Sequence, residues 1–243
     1  VSNILITGTK GSLGSYLLKS FPGATGLTRE NSKDLLNFPE NQLHKYDLII
    51  HCAFNTTNKI SNHKEYLEDN ILLTQKLCNL SCNRFVYISS VDVYNKSQEI
   101  YGMFKLFSES IVKDKCKNYT ILRPSAMVGP DLKPNSVIKL INNKNTTLTL
   151  SKKSTFNIIN QQDLLNFIKK LYTCSDDDKF KFNGTINFTS KDNISLEEIN
   201  DRLDCNGNFG DYVYTTPSLD NKKIITLHPE MNKSSWDVIK EII

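Results

Sequence analysis

The chain lacks any run of about 18 apolar residues, which excludes a membrane-spanning helix. It also lacks a Cys-x-x-Cys pair, and its six cysteines (52, 78, 82, 116, 174 and 205) sit mostly in apolar segments. That usage reads as reduced thiols in a cytosolic protein. The four histidines are scattered and none stands at ligand spacing from a cysteine, so no zinc site and no metal ligand is assigned. A basic cluster is missing too: the net charge is +4, but the lysines are interspersed with acids. Such a diffuse excess marks a solvated surface, not a nucleic-acid groove. A strand-like Ile4-Leu-Ile6 comes almost at once and leaves no room for a signal peptide, so the expected location is the cytoplasm. There is no internal repeat and no low-complexity linker. What remains, 243 residues of which 39% are hydrophobic, suits one large α/β domain or a nucleotide-binding domain with a small appended lobe.

The stretch around which the chain is organised runs from Ser89 to Ser110. The apolar run Arg84-Phe-Val-Tyr-Ile88 leads into Ser89-Ser90 and predicts a buried strand. From Tyr101 onward, Phe104, Leu106, Phe107, Ile111 and Val112 recur at helical spacing. Tyr101 and Lys105 then lie on one face of that helix, one turn apart. A free tyrosine titrates at about 10, and an ammonium within about 4–6 Å favours the phenolate. The pair can therefore exchange a proton near neutrality while a serine hydroxyl holds the substrate oxygen. An ordinary amphipathic helix also carries exposed Tyr and Lys, so context decides.

That context begins at the N-terminus. Ile4-Leu-Ile-Thr7-Gly8-Thr-Lys10-Gly11-Ser12-Leu13-Gly14 reads as a short strand that breaks at Gly8 and turns into a helix patterned by Leu13, Leu17 and Leu18. Gly8 allows the tight turn, Gly11 lets backbone approach a pyrophosphate, and Gly14 lets helix pack on sheet, with the helix N-terminus facing the phosphates. Ala24 to Arg29 reads as the second strand, whose end reaches the adenosine ribose. An acid there would bond the 2′-hydroxyl, whereas Arg29 accommodates a 2′-phosphate, so NADP(H) is favoured over NAD(H). Asp34-Leu35 stands where an adenine contact is expected.

Tyr46 to His51 predicts a third strand running into small and polar residues from Cys52 and Ala53 to Phe54, where a cofactor is admitted; His51 reads as a packed strand residue. Asn62 to Cys82 predicts a long amphipathic helix with Asn70 in its middle, and Tyr119 to Pro124 a strand broken by proline. This alternation predicts an α/β fold with a doubly wound parallel sheet of Rossmann type. Beyond Pro130 the pattern predicts a helix at 134–143, a strand at 146–150, a helix at 161–173, a strand at 185–188, a capping box at Ser195-Leu-Glu-Glu198 and a closing helix after Ser234. Residues 1–130 are thus expected to form the NAD(P)-binding domain, and 131–243 a small α/β substrate lobe interleaved with the end of the sheet.

These motifs together resemble the extended branch of the short-chain dehydrogenase/reductases, the nucleotide-sugar epimerase/dehydratase/reductase group. The resemblance rests on Thr7-Gly8-x-x-Gly11-x-x-Gly14, Asp47 to Ala53, Tyr66-x-x-x-Asn70, the Ser-Ser-x-x-Val-Tyr run, Tyr101-Gly-x-x-Lys105 and Leu122-Arg123-Pro124. It extends to Asn157 to Leu164, Gly184 to Phe188 and Ile194 to Ile199, and so covers nearly the whole chain. Leu27-Thr28-Arg29, Leu219 to Lys222 and Ser235-Trp236 look most like its dTDP-4-dehydrorhamnose reductase-type members.

The resemblance implies NAD(P)H-dependent reduction of a nucleotide-linked keto-deoxy sugar. It implies that Ser90 orients the substrate, Tyr101 protonates the carbonyl oxygen, and Lys105 holds the nicotinamide ribose and keeps the Tyr101 pKa low. Cofactor contacts are expected from Gly8, Lys10, Gly11, Ser12, Leu13, Gly14, Arg29, Asp34, Leu35, Cys52, Ala53, Phe54, Asn70, Ser89, Tyr101, Lys105, Arg123 and Pro124. The helices at 62–82 and 101–115 look like those that pair in homodimers of relatives. Ser90 and Tyr101 are joined by a shorter loop than extended relatives carry, and that loop normally lines the sugar pocket. Two other functions stay open: an epimerase that retains NAD, and a non-catalytic NADP-binding sensor. The Asp-Glu pair of the dehydratases is incomplete here, at Val91-Asp92.

Overall fold

The computed structural model describes residues 3–28, 30, 45–56, 63–95, 100–175 and 179–243. Its strands, in chain order, are β1 (Ile4–Thr7), β2 (Thr25–Leu27), β3 (Tyr46–His51), β4 (Cys82–Ile88), β5 (Tyr119–Pro124), β6 (Ala126–Val128), β7 (Thr155–Phe156), β8 (Ile158–Asn160), β9 (Gly184–Phe188) and β10 (Ile194–Ser195). The main sheet has the order β2-β1-β3-β4-β5-β9, and the pairs from β2 through β5 are parallel. Near-continuous apolar runs such as Leu48-Ile-Ile50 and Phe85-Val-Tyr-Ile88 are buried throughout, as strands of a parallel sheet covered on both faces must be.

The chain leaves β1 for β2 on one side and returns to β3 on the other, so the strand order reverses between β1 and β3. Thr7 and His51, paired in register, end those strands and mark the switch point where such sheets bind ligands. The helices are α1 (Ser12–Ser20), α2 (63–78), α3 (Ile100–Lys115), α4 (Ser136–Asn142), α5 (Gln161–Thr173), α6 (Leu196–Arg202), α7 (Lys222–Leu227) and α8 (Ser235–Lys240). Within α2, Glu68–Leu72 is a π turn. Among the described residues, no helix is long and apolar enough to cross a membrane.

Two compact units divide the described chain. The first is Val1–Arg123 with Phe167–Ile186; the second is Pro124–Asn166 with Asn187–Ile243. The first packs Leu73, Leu77, Phe85, Tyr87, Val112 and Ile121 into one core beside the sheet. The second packs Val137, Leu140, Ile158, Leu196, Ile199 and Val238 into its own. The β6–β8 pair in that second unit is parallel and β7–β10 antiparallel. Asn157 ties its segments, accepting from the Ser125 hydroxyl and the Ser190 N–H and donating to the carbonyls of Ser190 and Asp192.

Several sequence boundaries shift. The helix expected at 62–82 ends at Cys78, and Cys82 opens β4 instead; a turn at Asn79 and Leu80 separates them. The strand expected at 146–150 is two isolated bridges, Thr147 to Asn208 and Leu150 to Tyr212, because its partner offers no continuous ladder. Ser195 caps α6 as expected by accepting from Glu198 N–H, but the Glu198 carboxylate pairs with Arg202. A reciprocal capping box occurs at Ser234 and Asp237 of α8 instead.

Candidate active site

The switch point is built first by the glycine turn. Gly8 has φ +72°, and a Cβ there would lie 2.8 Å from the Ala53 backbone. A Cβ on Gly14 would lie 2.3 Å from the Gly8 carbonyl, so only glycine lets α1 start this close to β1. Gly11, the N-cap of α1, provides no side-chain cap, and the first turn carries no acid. A helix end of this kind, with no side-chain cap and no acid, favours an anion. The cradle fits a pyrophosphate. Lys10 leaves the turn to pair with Glu30 at 2.6 Å, both exposed. Arg29, Asp34 and Leu35, expected at the adenosine, lie outside the described residues.

Hydrogen bonds then fix the loop after β3. Thr7 Oγ1 accepts from the N–H groups of Cys52 and Ala53, at 3.1 and 3.0 Å, so its own proton goes to His51 Nδ1 at 2.7 Å. His51 is thereby assigned a proton on Nε2, which it donates to Thr74 Oγ1 at 2.8 Å, and Thr74 donates onward to the Asn70 carbonyl. Burial, helped by the Lys105 charge, pushes His51 down to about 3. It is the packed strand residue the sequence suggests.

Asn70 sits in the π turn, where its carbonyl also accepts from the Ser108 hydroxyl. Its side chain accepts from Asn55 N–H at 2.7 Å and donates to Asn55 O at 3.2 Å. The amide expected at the cofactor is therefore spent on the loop that carries Cys52, Ala53 and Phe54.

The expected catalytic set comes together at the end of β4. Ser90, only 8% exposed, caps a 3-10 turn (Val91–Tyr94), accepting from Asp92 N–H and donating to the Asp92 carboxylate at 2.9 Å. The hydroxyls of Ser90 and Tyr101 lie within hydrogen-bond reach. Gly102 makes this possible. A Cβ there would stand 2.7 Å from the Asp92 carbonyl, so α3 can press its first turn against the turn behind Ser90.

Lys105 is 3% exposed and donates to the Ile88 carbonyl at 2.7 Å, with its ammonium 4.1 Å from the Phe54 ring centre and 5.8 Å from that of Tyr101. Burial pulls it down to about 7, against the fields of Cys52 and Glu109. The sequence expectation that Lys105 lowers the Tyr101 pKa is not met in this geometry. Burial and then the Asp92 charge raise it well above 10, with only the Ser90 hydrogen bond opposing them. Lys105 directs its proton to a carbonyl, and the phenol stays protonated. Phe54 packs edge-on against Tyr101 and Tyr66, at 5.0 and 6.2 Å between ring centres.

A second polar layer escaped the sequence reading. Glu109, fully buried, lies one turn beyond Lys105 on the same helix. It accepts from Arg123 Nε and Nη2 at 2.8 and 2.6 Å, and from the Ser89 hydroxyl at 2.6 Å. Arg123 also donates to the Tyr94 hydroxyl and covers that ring. The side chains of Ser89 and Arg123, expected at the cofactor, serve this network instead; Pro124 closes β5. The signal was the Lys-x-x-x-Glu spacing, which puts Lys105 and Glu109 on one face. Among the described residues, no three His, Cys, Asp or Glu side chains could hold a metal ion.

A parallel sheet with a glycine turn at its switch point defines a Rossmann-type fold. The profile of the NAD dependent epimerase/dehydratase family matches residues 4–160, and the chain belongs to that family. No curated protein sequence matches the chain. Among solved structures it is similar to a dTDP-4-dehydrorhamnose reductase from Yersinia enterocolitica, with 22% identity, TM-score 0.73 and coverage of 99% of this chain and 98% of that one. The Clostridium acetobutylicum dTDP-4-dehydrorhamnose reductase gives 19%, 0.74, 98% and 97%. A Bacillus cereus UDP-glucuronic acid 4-epimerase, solved with UDP-glucuronic acid and NAD, gives 18%, 0.69, 99% and 100%.

Proposed function

We propose that the chain reduces a keto-deoxy sugar carried on a nucleoside diphosphate, using NAD(P)H. The observation that carries this reading is Tyr101, a half-buried phenol held protonated beside Ser90 and one helical turn from Lys105. Reduction of a carbonyl needs a proton donor, and a phenol whose pKa is raised is a donor at neutral pH. The Gly8, Gly11 and Gly14 turn and the N-terminus of α1 would hold the dinucleotide, whose nicotinamide supplies the hydride. Ser90 turns its single hydroxyl proton from the Asp92 carboxylate, 2.9 Å away, to the carbonyl oxygen, and Tyr101 gives that oxygen a proton. The Lys105 ammonium, anchored on the Ile88 carbonyl, would hold the nicotinamide ribose.

Arg29 supports NADP(H), while the NAD bound by the Bacillus cereus relative supports NAD(H). We assign sugar recognition to 131–243 and activity to the cytoplasm, supported by six free cysteines. Exposed Leu67, Leu72, Met103, Leu106 and Phe107 on α2 and α3 support a homodimer built on those helices. An epimerase remains the second reading, favoured by the absence of a complete dehydratase pair and by the likeness to the Bacillus cereus enzyme; NAD released on denaturation would support it. Incubation with NADPH or NADH and a panel of nucleotide 4-keto sugars tests the main reading. Turnover that Tyr101→Phe abolishes is expected, and no turnover with any of them overturns it.

A further inference from the structure

The loop after β3 brings an aromatic face to a buried cation. Lys105 Nζ donates to the Ile88 carbonyl at 2.7 Å and stands 4.1 Å from the centre of the Phe54 ring. A ring face attracts an ammonium over a reach of about 6 Å. The Tyr87 and Tyr101 rings follow at 5.0 and 5.8 Å. Phe54 is fixed from both sides. Ala53 N–H donates to Thr7 Oγ1, while Asn55 donates its N–H to the Asn70 side chain and accepts from it at its carbonyl. Tyr66 of α2 braces the Phe54 ring edge-on, and Phe104 of α3 packs edge-on against Tyr66 at 4.6 Å between ring centres.

The groups around the ammonium are mostly neutral. At the end of β3, burial pushes Cys52 up to about 12 and His51 down to about 3, so both are uncharged at neutral pH. Burial also raises the phenols of Tyr87 on β4 and Tyr101 on α3 above the ordinary tyrosine value. The Glu109 carboxylate, one turn along α3, is gripped by Arg123. Among the described residues, the direct contacts of the ammonium are therefore the Ile88 carbonyl and the ring faces. An ammonium taken out of water gives up its proton more readily. A ring face offsets part of that loss, because it attracts the charged form alone.

We propose that Phe54 is a positioning residue for Lys105: its ring keeps the ammonium charged and seated on the Ile88 carbonyl, in place of a direct counter-ion. The sequence places Phe54 among the cofactor contacts. This role acts through Lys105 instead and needs no contact between the ring and the dinucleotide. Its bearing on catalysis rests on the reductase reading, in which a charged Lys105 holds the nicotinamide ribose. Loss of the ring face lowers the pH at which Lys105 gives up its proton, and the alkaline limb of kcat/KM moves down with it.

The test titrates the whole chain, carrying isotope-labelled lysine and free of substrate and cofactor, and follows the Lys105 Cε resonance by NMR. The resonance missing from Lys105→Met assigns it. The midpoint is expected at about 7. Phe54→Leu keeps apolar bulk without a π face and should lower the midpoint by about one pH unit, while Phe54→Tyr should leave it in place. Fluorine withdraws electrons from a ring face and barely changes its shape. Trifluorophenylalanine at position 54 should therefore lower the midpoint too, and it decides the matter if Phe54→Leu does not fold. A midpoint that stays or rises in the fluorinated chain, or that Phe54→Tyr lowers as far as Phe54→Leu, overturns the proposal. The measurement needs no turnover. An inactive chain with a shifted midpoint would remove the reductase reading and keep the role of Phe54, and an active chain with an unshifted midpoint would do the reverse.

Discussion

Arg123 grips Glu109 through two hydrogen bonds, 2.8 Å from Nε and 2.6 Å from Nη2, with the carboxylate fully buried. Burial works against the Arg123 charge, but Glu109 and Tyr94 outweigh it and hold the guanidinium above its ordinary pKa. The pair joins α3, which carries Tyr101 and Lys105, to β5. Glu109→Gln keeps the shape and leaves a buried cation without its counter-charge, a change that costs about 3 kcal/mol. Denaturant unfolding should show that loss, and an unchanged midpoint would mean that the pair is idle.

Lys105 makes a pH prediction. Its folded pKa of about 7 lies below the ordinary 10.5, so between those values the unfolded chain holds a proton that the folded chain has lost. Its contribution therefore makes stability rise with pH across that window, and its penalty is complete below pH about 7. Lys105→Met should remove the penalty and stabilise the fold by about 1–3 kcal/mol at acidic pH, less at alkaline pH. The same titration should make kcat/KM for reduction fall on the alkaline side with an apparent pKa of about 7. A profile flat through neutrality would assign the proton chemistry elsewhere.

How far these sites could be read from the residues alone differs from element to element. Ile4 to Gly14 and Phe85 to Ser90 were legible because short apolar runs ending in Gly or Ser have few alternatives in a parallel sheet. Gln161 to Thr173 was legible to the residue from its apolar stripe. The Glu109–Arg123 pair was not. The two residues are fourteen apart in sequence, and a fully buried carboxylate looks like a surface one until its partner is known. The same holds for Asn70, where only the fold shows that the amide binds Asn55. Periodicity carried the helix at 62–82 past Cys78, because Leu80 and Cys82 are as apolar on a strand as on a helix.

Gly102→Ala adds a methyl 2.7 Å from the Asp92 carbonyl, which must move. The turn that places Ser90 moves with it. Turnover should drop by at least about tenfold through kcat, since a shift of about 1 Å at reacting groups costs about a hundredfold. Circular dichroism should stay native-like. Full activity would show that Ser90 does not need this close approach.

The exposed stripe on α2 and α3 predicts the state of assembly. Phe107, at 59% exposure, is its most exposed member. Phe107→Glu should convert a dimer to a monomer in sedimentation equilibrium. A native chain that sediments as a monomer would remove that assignment.

The most direct measurement follows one hydrogen. The protein is given NAD(P)H deuterated at the nicotinamide C4 together with a nucleotide 4-keto sugar, and the product is examined by NMR. Reduction with Tyr101 as proton donor predicts deuterium on the former carbonyl carbon, one oxidised cofactor per sugar, and no transfer by Tyr101→Phe. Deuterium absent from that carbon, or transfer that survives Tyr101→Phe, would contradict the account.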